Sequence, residues 1–425
     1  MQLLKNEKIV IIMEKTLNHV DARLMDHGKR VAYLMYKVLS HHREYDDKKL
    51  RNICILSMLH DVGAYKTEEI DKMVIFESLD VWEHSIYGFL FIKYFSPLKN
   101  LAPVVLYHHA ECNEITTLDD PEMRTLAQLI SLCDRADVFS LHHGNNDKFV
   151  DYINKNRNIK YFDDIVDMYL SSGINIENVF DSMDTDKEFD DIFHNTPQTA
   201  DEVNGYLNMI MYSIDFRSSQ TVIHTVSATC VAGVLAEILG ANEKQIEIIK
   251  TGAMLHDIGK IGIPSHILES KSRLNDSEMD IMRTHVDIAE EILDGNVDDE
   301  VMYIAIKHHE KLNGTGYPRN LEVSEISFFD RIVAIADIFS ALCGVRSYKN
   351  EYPKERVIRI LGDMSDQNLL DPYIVSITID NYEKIVSSIE IEAGPVFNAY
   401  ESMNNEYLQI RKNLANGNSI EGDAA

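Results

Sequence analysis

The chain has 425 residues, of which 45% are hydrophobic, and a net charge of −28. That hydrophobic share excludes global disorder, and the length suits two domains of ordinary size. So negative a balance disfavours long polyphosphate partners such as duplex or transfer RNA and otherwise serves solubility. A small anion held by metals stays open.

The pattern is helical nearly throughout. MQLLKNEKIVIIMEK (1–15) holds an apolar run of five residues, too short for a secretory signal. GKRVAYLMYKVLS (28–40) places apolar residues at i, i+3, i+4 and i+7, and KKLRNICILSMLHDVG (48–63) is an apolar helix ending in His-Asp-x-Gly. DSMDTDKEFDD (181–191) is acidic and reads as an exposed connector. In NTPQTADEV (195–203), Pro197 and Asp201 signal a helix start. SATCVAGVLAEILG (227–240) and EKQIEIIKTGAMLHDIGK (243–260) then match the earlier two helices, with Gly240 as a stop and Gly259 able to let backbone approach closely. Alternating β-branched stretches are scarce; VSITI (375–379) fits strand or helix equally. The tail ANGNSIEGDAA (415–425) is small and polar and is expected to be disordered. No apolar run approaches 18 residues, so no membrane span is expected. Cys54, Cys112, Cys133, Cys230 and Cys343 form no CxxC pair and read as reduced thiols in a cytoplasmic protein.

The most informative feature is a ladder of histidines and aspartates present twice. The first copy is His27, His60-Asp61, His84, His108-His109 and Asp134; the second is His224, His256-Asp257, His285, His308-His309 and Asp337. Ten of the seventeen histidines fall on it, and a hydrophobic core needs no such order. His41, His42, His142, His143 and His194 lie off it and read as surface or loop residues. Imidazole and carboxylate together suit divalent transition metals, with iron or manganese ahead of magnesium. In the second copy Asp257 is placed to bridge two metals. His224 and Asp337 would complete one, and His285, His308 and His309 the other. A bridging water would then be largely hydroxide at neutral pH, a nucleophile for a phosphorus whose oxygens the metals polarise. The organisation expected is all-α, two tandem helical domains at 1–195 and 196–391, and a C-terminal helix and tail at 392–425.

The order H…HD…H…HH…D, with HDIGK at 256–260, KIGIP at 260–264 and HHEKLNGTGYP at 308–318, resembles the HD-GYP family of cyclic dinucleotide phosphodiesterases. The resemblance covers roughly residues 210–350. Residues 1–140 resemble the wider HD superfamily without the GYP triplet. The resemblance implies an all-helical fold, a site of two or three metals, and hydrolysis of cyclic di-GMP or 3′,3′-cyclic GMP-AMP, the former favoured. It implies that Lys260 sits by the scissile phosphate, where its charge offsets that of the phosphoryl oxygens, with Asp257 the other catalytic residue. It further implies that Arg346 and Lys349, in CGVRSYKN, grip substrate phosphate. Tyr317 would stack on a guanine or line the site mouth, while Gly316 and Pro318 shape a turn. Arg331 matches a basic position lining the family's site, with a structural salt bridge as the equal alternative.

Two departures stand out. Gln220 occupies the place of a glutamate that helps hold a third metal in some members, which points to two metals and a reaction stopping at the linear dinucleotide. Asn313 stands where the family loop usually has aspartate. The first copy keeps all seven ligand types, so metals are expected there too. It lacks GYP, its Lys66 comes two residues later than Lys260, LHHGNNDK replaces the RxYK stretch, and Arg23 stands four residues before His27. That contrast predicts a regulatory or supporting domain. Other readings are a different HD-superfamily phosphohydrolase or a non-catalytic metal or nucleotide sensor. A second copy of the chain and a signalling protein are the candidate macromolecular partners.

Overall fold

A computed structural model describes residues 8–19, 26–43, 45–64, 82–115, 118–142, 144–196, 198–216, 223–270, 272–343 and 352–415. Among the described residues there is no strand, only an isolated bridge between Arg157 and Tyr161. The fold is all-α and divides into two compact units. Of the described residues, one takes in 9–209 and 403–415, the other Lys8 and 210–402.

In the unit of residues 9–209, α1 (Lys8–Asn18) comes first, and the ladder lies on or just after α2 (His27–His42), α3 (Asp47–Met58), α4 (Trp82–Phe95), α5 (Ala102–Leu106) and α6 (Pro121–His142). α2 packs on α3 and α6, and α5 packs on α4 and α6. α7 (Ala200–Asp215) leads out of this unit. The unit of residues 210–402 repeats the plan with α8 (His224–Ile238), α9 (Glu243–Leu255), α10 (His285–Leu293), α11 (Asp299–Ile306) and α12 (Phe328–Cys343). α8 packs on α9 and α12, and α11 on α10, α9 and α12. The last helix, α13, spans Tyr382–Ala415.

The sequence explains these elements locally. α9 starts at a capping box in which Asn242 and Gln245 exchange side-chain and backbone hydrogen bonds. α8 stops where Gly240 takes φ +80, a left-handed conformation open to glycine at no cost. α8 is buried on nearly every side, from Thr225 to Ala236, so it is the central helix of its unit rather than an amphipathic surface helix. Each Val or Leu so enclosed contributes about 1.5–3 kcal/mol.

Two expectations change, and the open reading of VSITI closes on its helical alternative. The stretch 181–191 is not an exposed connector. Residues Lys187–Asn195 form a helix whose Phe189, Ile192 and Phe193 are buried, with the Phe189 ring 5.1 Å from that of Tyr33. Its acidic residues mark the solvent face of an amphipathic helix, which an average over composition hides. VSITI lies in the helix Pro372–Asp380. The His-Asp pairs stand not on the helices but in the turns after them, since α3 ends at Met58 and α9 at Leu255. The tail 416–425 lies outside the described residues.

Candidate metal centres

Each ladder closes into one cluster. In residues 210–402, the Nε2 atoms of His224 and His256 lie 3.5 and 3.2 Å from Oδ2 of Asp257. Those of His285 and His308 lie 3.8 and 3.9 Å from its Oδ1. Asp337 Oδ1 is 3.2 Å from His224 Nε2, and its Oδ2 is 3.9 Å from His309 Nδ1. Asp257 therefore turns one oxygen to each of two donor groups, which is the geometry of a bridging carboxylate.

The imidazoles are held in one orientation by main-chain carbonyls three residues earlier. Nδ1–H of His256, His285 and His308 donates to the carbonyls of Ala253, Met282 and Ala305, each at 2.6 Å. That fixes the proton on Nδ1 and leaves the Nε2 lone pair facing inward, as a metal ligand requires. Burial pushes His285, His308 and His309 toward the neutral form, His309 to about 3, with neighbouring imidazoles reinforcing the effect on His308. Burial opposes ionisation of Asp257 and Asp337, but the surrounding imidazoles and Lys260 outweigh it and hold Asp257 well below the usual carboxylate range; imidazoles do the same for Asp337. Asp257 and Lys260 sit in and beside the tight turn Ile258–Gly262, and a Cβ on Gly259 would lie 1.9 Å from the carbonyl oxygen of His285. The glycine therefore lets this turn cross α10 at close range.

In residues 9–209 the same arrangement recurs. His27 and His60 face Asp61 Oδ2 at 3.6 and 3.3 Å, and His84 and His108 face Oδ1 at 3.8 and 3.6 Å. Asp134 Oδ1 is 3.4 Å from His27 Nε2, and the ring centroid of His109 lies 3.9 Å from that of His108. Nδ1–H of His60 and His108 donates to the carbonyls of Ser57 and Val105. Gly63 repeats the Gly259 device against the carbonyl of His84.

Buried polar atoms normally find hydrogen-bond partners. Asp257 Oδ1, Asp61 Oδ1, and Nε2 of His60 and His108 are buried and make no hydrogen bond. All four point into the clusters. The donor sets, imidazole nitrogens with ionised carboxylates, fit divalent cations.

Around the second cluster, Lys260 Nζ donates to Asp257 Oδ2 at 2.5 Å. The Tyr317 ring lies 4.6 Å from that of His309, with the Arg283 guanidinium 5.4 Å from its centroid. The GYP loop is shaped by Glu310, whose carboxylate accepts from the amides of Arg319 and Leu321 at 2.8 and 3.0 Å. Gly316 passes so near that a Cβ would meet Glu310 Cα at 2.4 Å. Asn313 caps the loop by accepting from the amide and hydroxyl of Thr315. Arg331 has its hydrogen-bond partners outside the ladder. Its guanidinium donates to Asp371 and to the carbonyls of Val323 and Ile326, the salt-bridge alternative of its sequence reading. Arg346, Lys349, Gln220, Lys66 and Arg23 lie outside the described residues.

Three residues near the clusters had no place in the sequence reading. Asp137 accepts from His27 Nδ1 at 2.7 Å. Ser340 stands at the equivalent place, 3.2 Å from His224 Nδ1. Asp215 accepts from the amide of Thr225 in the first turn of α8. For Asp137 the signal was available: DRAD (134–137) against DIFS (337–340).

The chain is thus all-helical and carries two clusters whose donors could hold metal ions. Residues 208–374 match the HD domain family model. Over 391 residues the chain is 24% identical to 3′3′-cGAMP-specific phosphodiesterase 1 of Vibrio cholerae, covering 87% of this chain and 90% of the relative. It is 36% identical over 172 residues to the cyclic di-GMP phosphodiesterase response regulator RpfG of Xanthomonas campestris, covering 40% of this chain and 45% of the relative. It is 38% identical over 177 residues to a cyclic di-GMP phosphodiesterase of Thermotoga maritima, covering 41% and 47%. The chain thus spans nearly all of the first relative and under half of the other two. Among solved structures it resembles the cyclic GMP-AMP-specific phosphodiesterase V-cGAP3 of V. cholerae, with a TM-score of 0.53, 16% identity, and coverage of 90% of this chain and 97% of that one. Residues 208–374 are an HD domain, and the chain's relatives are HD-GYP cyclic dinucleotide phosphodiesterases. No described helix is long and apolar enough to cross a membrane.

Proposed function

We propose that the protein is a metal-dependent phosphodiesterase that hydrolyses a cyclic dinucleotide at the cluster of His224, His256, Asp257, His285, His308, His309 and Asp337. The observation that carries this is the division of Asp257, with Oδ2 toward His224 and His256 and Oδ1 toward His285 and His308. His224, His256 and Asp337 would hold one divalent cation, and His285, His308 and His309 the other. Two cations there would neutralise phosphoryl oxygens and lower the pKa of a water between them. The chain's own residues supply the rest. The carbonyls behind His256, His285 and His308 keep the lone pairs inward, so little reorganisation accompanies substrate binding. Lys260 brings positive charge to the oxygen side of Asp257, where charge grows on the phosphorus oxygens. Arg346 and Lys349 grip the non-reacting phosphate, and Tyr317 offers a ring beside His309 on which a base can lie.

Iron or manganese is the proposed metal, since imidazole-rich sites are softer than magnesium prefers. Cyclic di-GMP remains the first substrate to test. The relative matching over most of this chain's length is named for 3′3′-cGAMP, which supports the second substrate. We place the protein in the cytoplasm, where five cysteines with no disulfide among them belong. The first cluster is proposed to bind metal through His27, His60, Asp61, His84, His108, His109 and Asp134 without turning over cyclic dinucleotide. The test is hydrolysis of both substrates by manganese-loaded protein, read as linear product. No product from either would overturn the reading.

A further inference from the structure

The two clusters differ in what stands behind their first histidine. In the second, His224 Nδ1 meets the hydroxyl of Ser340 at 3.2 Å, and that hydroxyl spends its proton on the carbonyl of Asp337. In the first, His27 Nδ1 meets the carboxylate of Asp137 at 2.7 Å. Asp137 is wholly buried, and Arg30 clamps both of its oxygens, Nε to Oδ1 at 2.5 Å and Nη2 to Oδ2 at 3.1 Å. The pair is replaced as a unit. Arg30 stands three residues after His27, and Ser227 stands three after His224. Asp137 stands three after Asp134, and Ser340 three after Asp337. An ion pair in one copy is two serines in the other.

A second difference pulls the same way. Asp257 Oδ2 carries the ammonium of Lys260 at 2.5 Å, and an ammonium there competes with a metal cation for the oxygen. Position 64, which matches 260 in the ladder, is Ala64. The groups acting on Asp61 are the imidazoles of His60, His108, His27 and His84.

We infer that Asp137, clamped by Arg30, is a positioning residue that makes the first cluster the tighter metal site of the chain. This rests on the reading above that the first cluster binds metal. A carboxylate on Nδ1–H fixes the tautomer and plane of the imidazole and increases electron density at Nε2. Partners of this kind typically change metal affinity about 10–100-fold. Arg30 fixes the carboxylate in turn, so the orientation of His27 is set before any cation arrives. The first cluster then keeps its metal under conditions where the second exchanges.

The test uses the full chain and manganese. Asp257→Ala leaves only the first cluster, and Asp61→Ala only the second. Each is dialysed against a graded chelator series, and bound metal is counted by mass spectrometry. The Asp257→Ala protein is expected to retain manganese at about tenfold or more higher chelator than the Asp61→Ala protein. Adding Asp137→Asn to Asp257→Ala should lower affinity about 10–100-fold. A merely structural ion pair would instead lower the unfolding temperature of the metal-free chain and leave affinity alone. Because the Asn variant can fail to fold, the transplant is the companion measurement: Ser227→Arg with Ser340→Asp, in the Asp61→Ala background, should tighten the second cluster. Equal retention in the two single variants, or affinities unmoved by both exchanges, would overturn the inference. An Asp257→Ala protein that binds no manganese would overturn its premise, the first metal site itself, while leaving hydrolysis by the wild type untouched.

Discussion

The ammonium of Lys260 lies 2.5 Å from Oδ2 of Asp257, the same oxygen that faces His224 and His256. The lysine and this carboxylate are therefore one electrostatic unit, three residues apart across a tight turn. Lys260→Met should lower kcat about 100-fold with a smaller change in KM, because its charge matters most as negative charge builds on the phosphoryl oxygens. The same substitution frees Oδ2 and should leave metal content equal or higher. A rise in KM at constant kcat would show that Lys260 only binds substrate.

Gly259 permits the crossing that brings this unit under His285. A methyl group there would sit 1.9 Å from the carbonyl oxygen of His285 and 2.7 Å from the amide of Ala289, both backbone atoms that cannot swing aside. Gly259→Ala should therefore destabilise residues 210–402 by roughly 3 kcal/mol, the upper end for overpacking. Metal affinity and turnover should fall with it. Gly362, whose Cβ would meet nothing, is the control: Gly362→Ala in its helix should be neutral or slightly stabilising. Thermal unfolding of the metal-free variants compares the two directly.

Asp215 gives a pH dependence of known sign. Burial pushes its carboxyl up to about 6, more than the His224 imidazole and the Thr225 amide lower it. An unfolded aspartate titrates at roughly 3.9. Between those values the folded chain holds a proton that the unfolded chain has released, so stability falls as pH rises through that window and the penalty is complete above about 6. Asp215→Asn should thus raise the stability of metal-free protein at pH 7.5 by up to roughly 3 kcal/mol, and the gain should vanish near pH 4. A gain of equal size at both pH values would mean that charge is not its source.

The ladder was legible because metal sites demand particular atoms in a particular order, and that demand survives in a single sequence. All fourteen ladder residues fall into two clusters. The central place of Asp257, with imidazoles facing both of its oxygens, agrees with its sequence position directly after His256. The helices were read from periodicity, but their ends at Met58 and Leu255 were not, because a tight turn can continue the apolar pattern of the helix before it. Arg331 illustrates a different limit. Its charge and position leave a substrate contact and a salt bridge open, and its partner Asp371, 40 residues further on, is visible only in the fold. Asp215 escaped because its contact with the first turn of α8 comes from the fold, which no local spacing encodes, whereas Asp137 had a signal in the comparison of DRAD with DIFS. The acidic helix Lys187–Asn195 was mistaken for a connector because its three buried apolar residues are outnumbered by charge.

The duplicated cluster allows the two copies to be separated by matched substitutions. Asp61 and Asp257 occupy the same place, each facing four imidazoles through its two oxygens. Removing either leaves imidazoles without their shared counter-charge, so each alanine variant should lose the metals of its own cluster. The consequences for turnover should differ. Among the described residues, only the second cluster has a lysine on its central carboxylate and a tyrosine ring 4.6 Å from a ladder histidine. Asp257→Ala should therefore abolish cyclic dinucleotide hydrolysis, a loss of about 10³-fold or more, in keeping with removal of a shared electrostatic centre. Asp61→Ala should keep turnover within about tenfold of wild type while lowering the unfolding temperature of residues 9–209, because metal binding there contributes to the folded state. Steady-state kinetics on manganese-loaded full-length proteins, with metal content counted in the same samples, makes the comparison. Loss of turnover in Asp61→Ala with the second cluster still fully loaded would assign catalysis, or obligatory coupling to it, to the first copy.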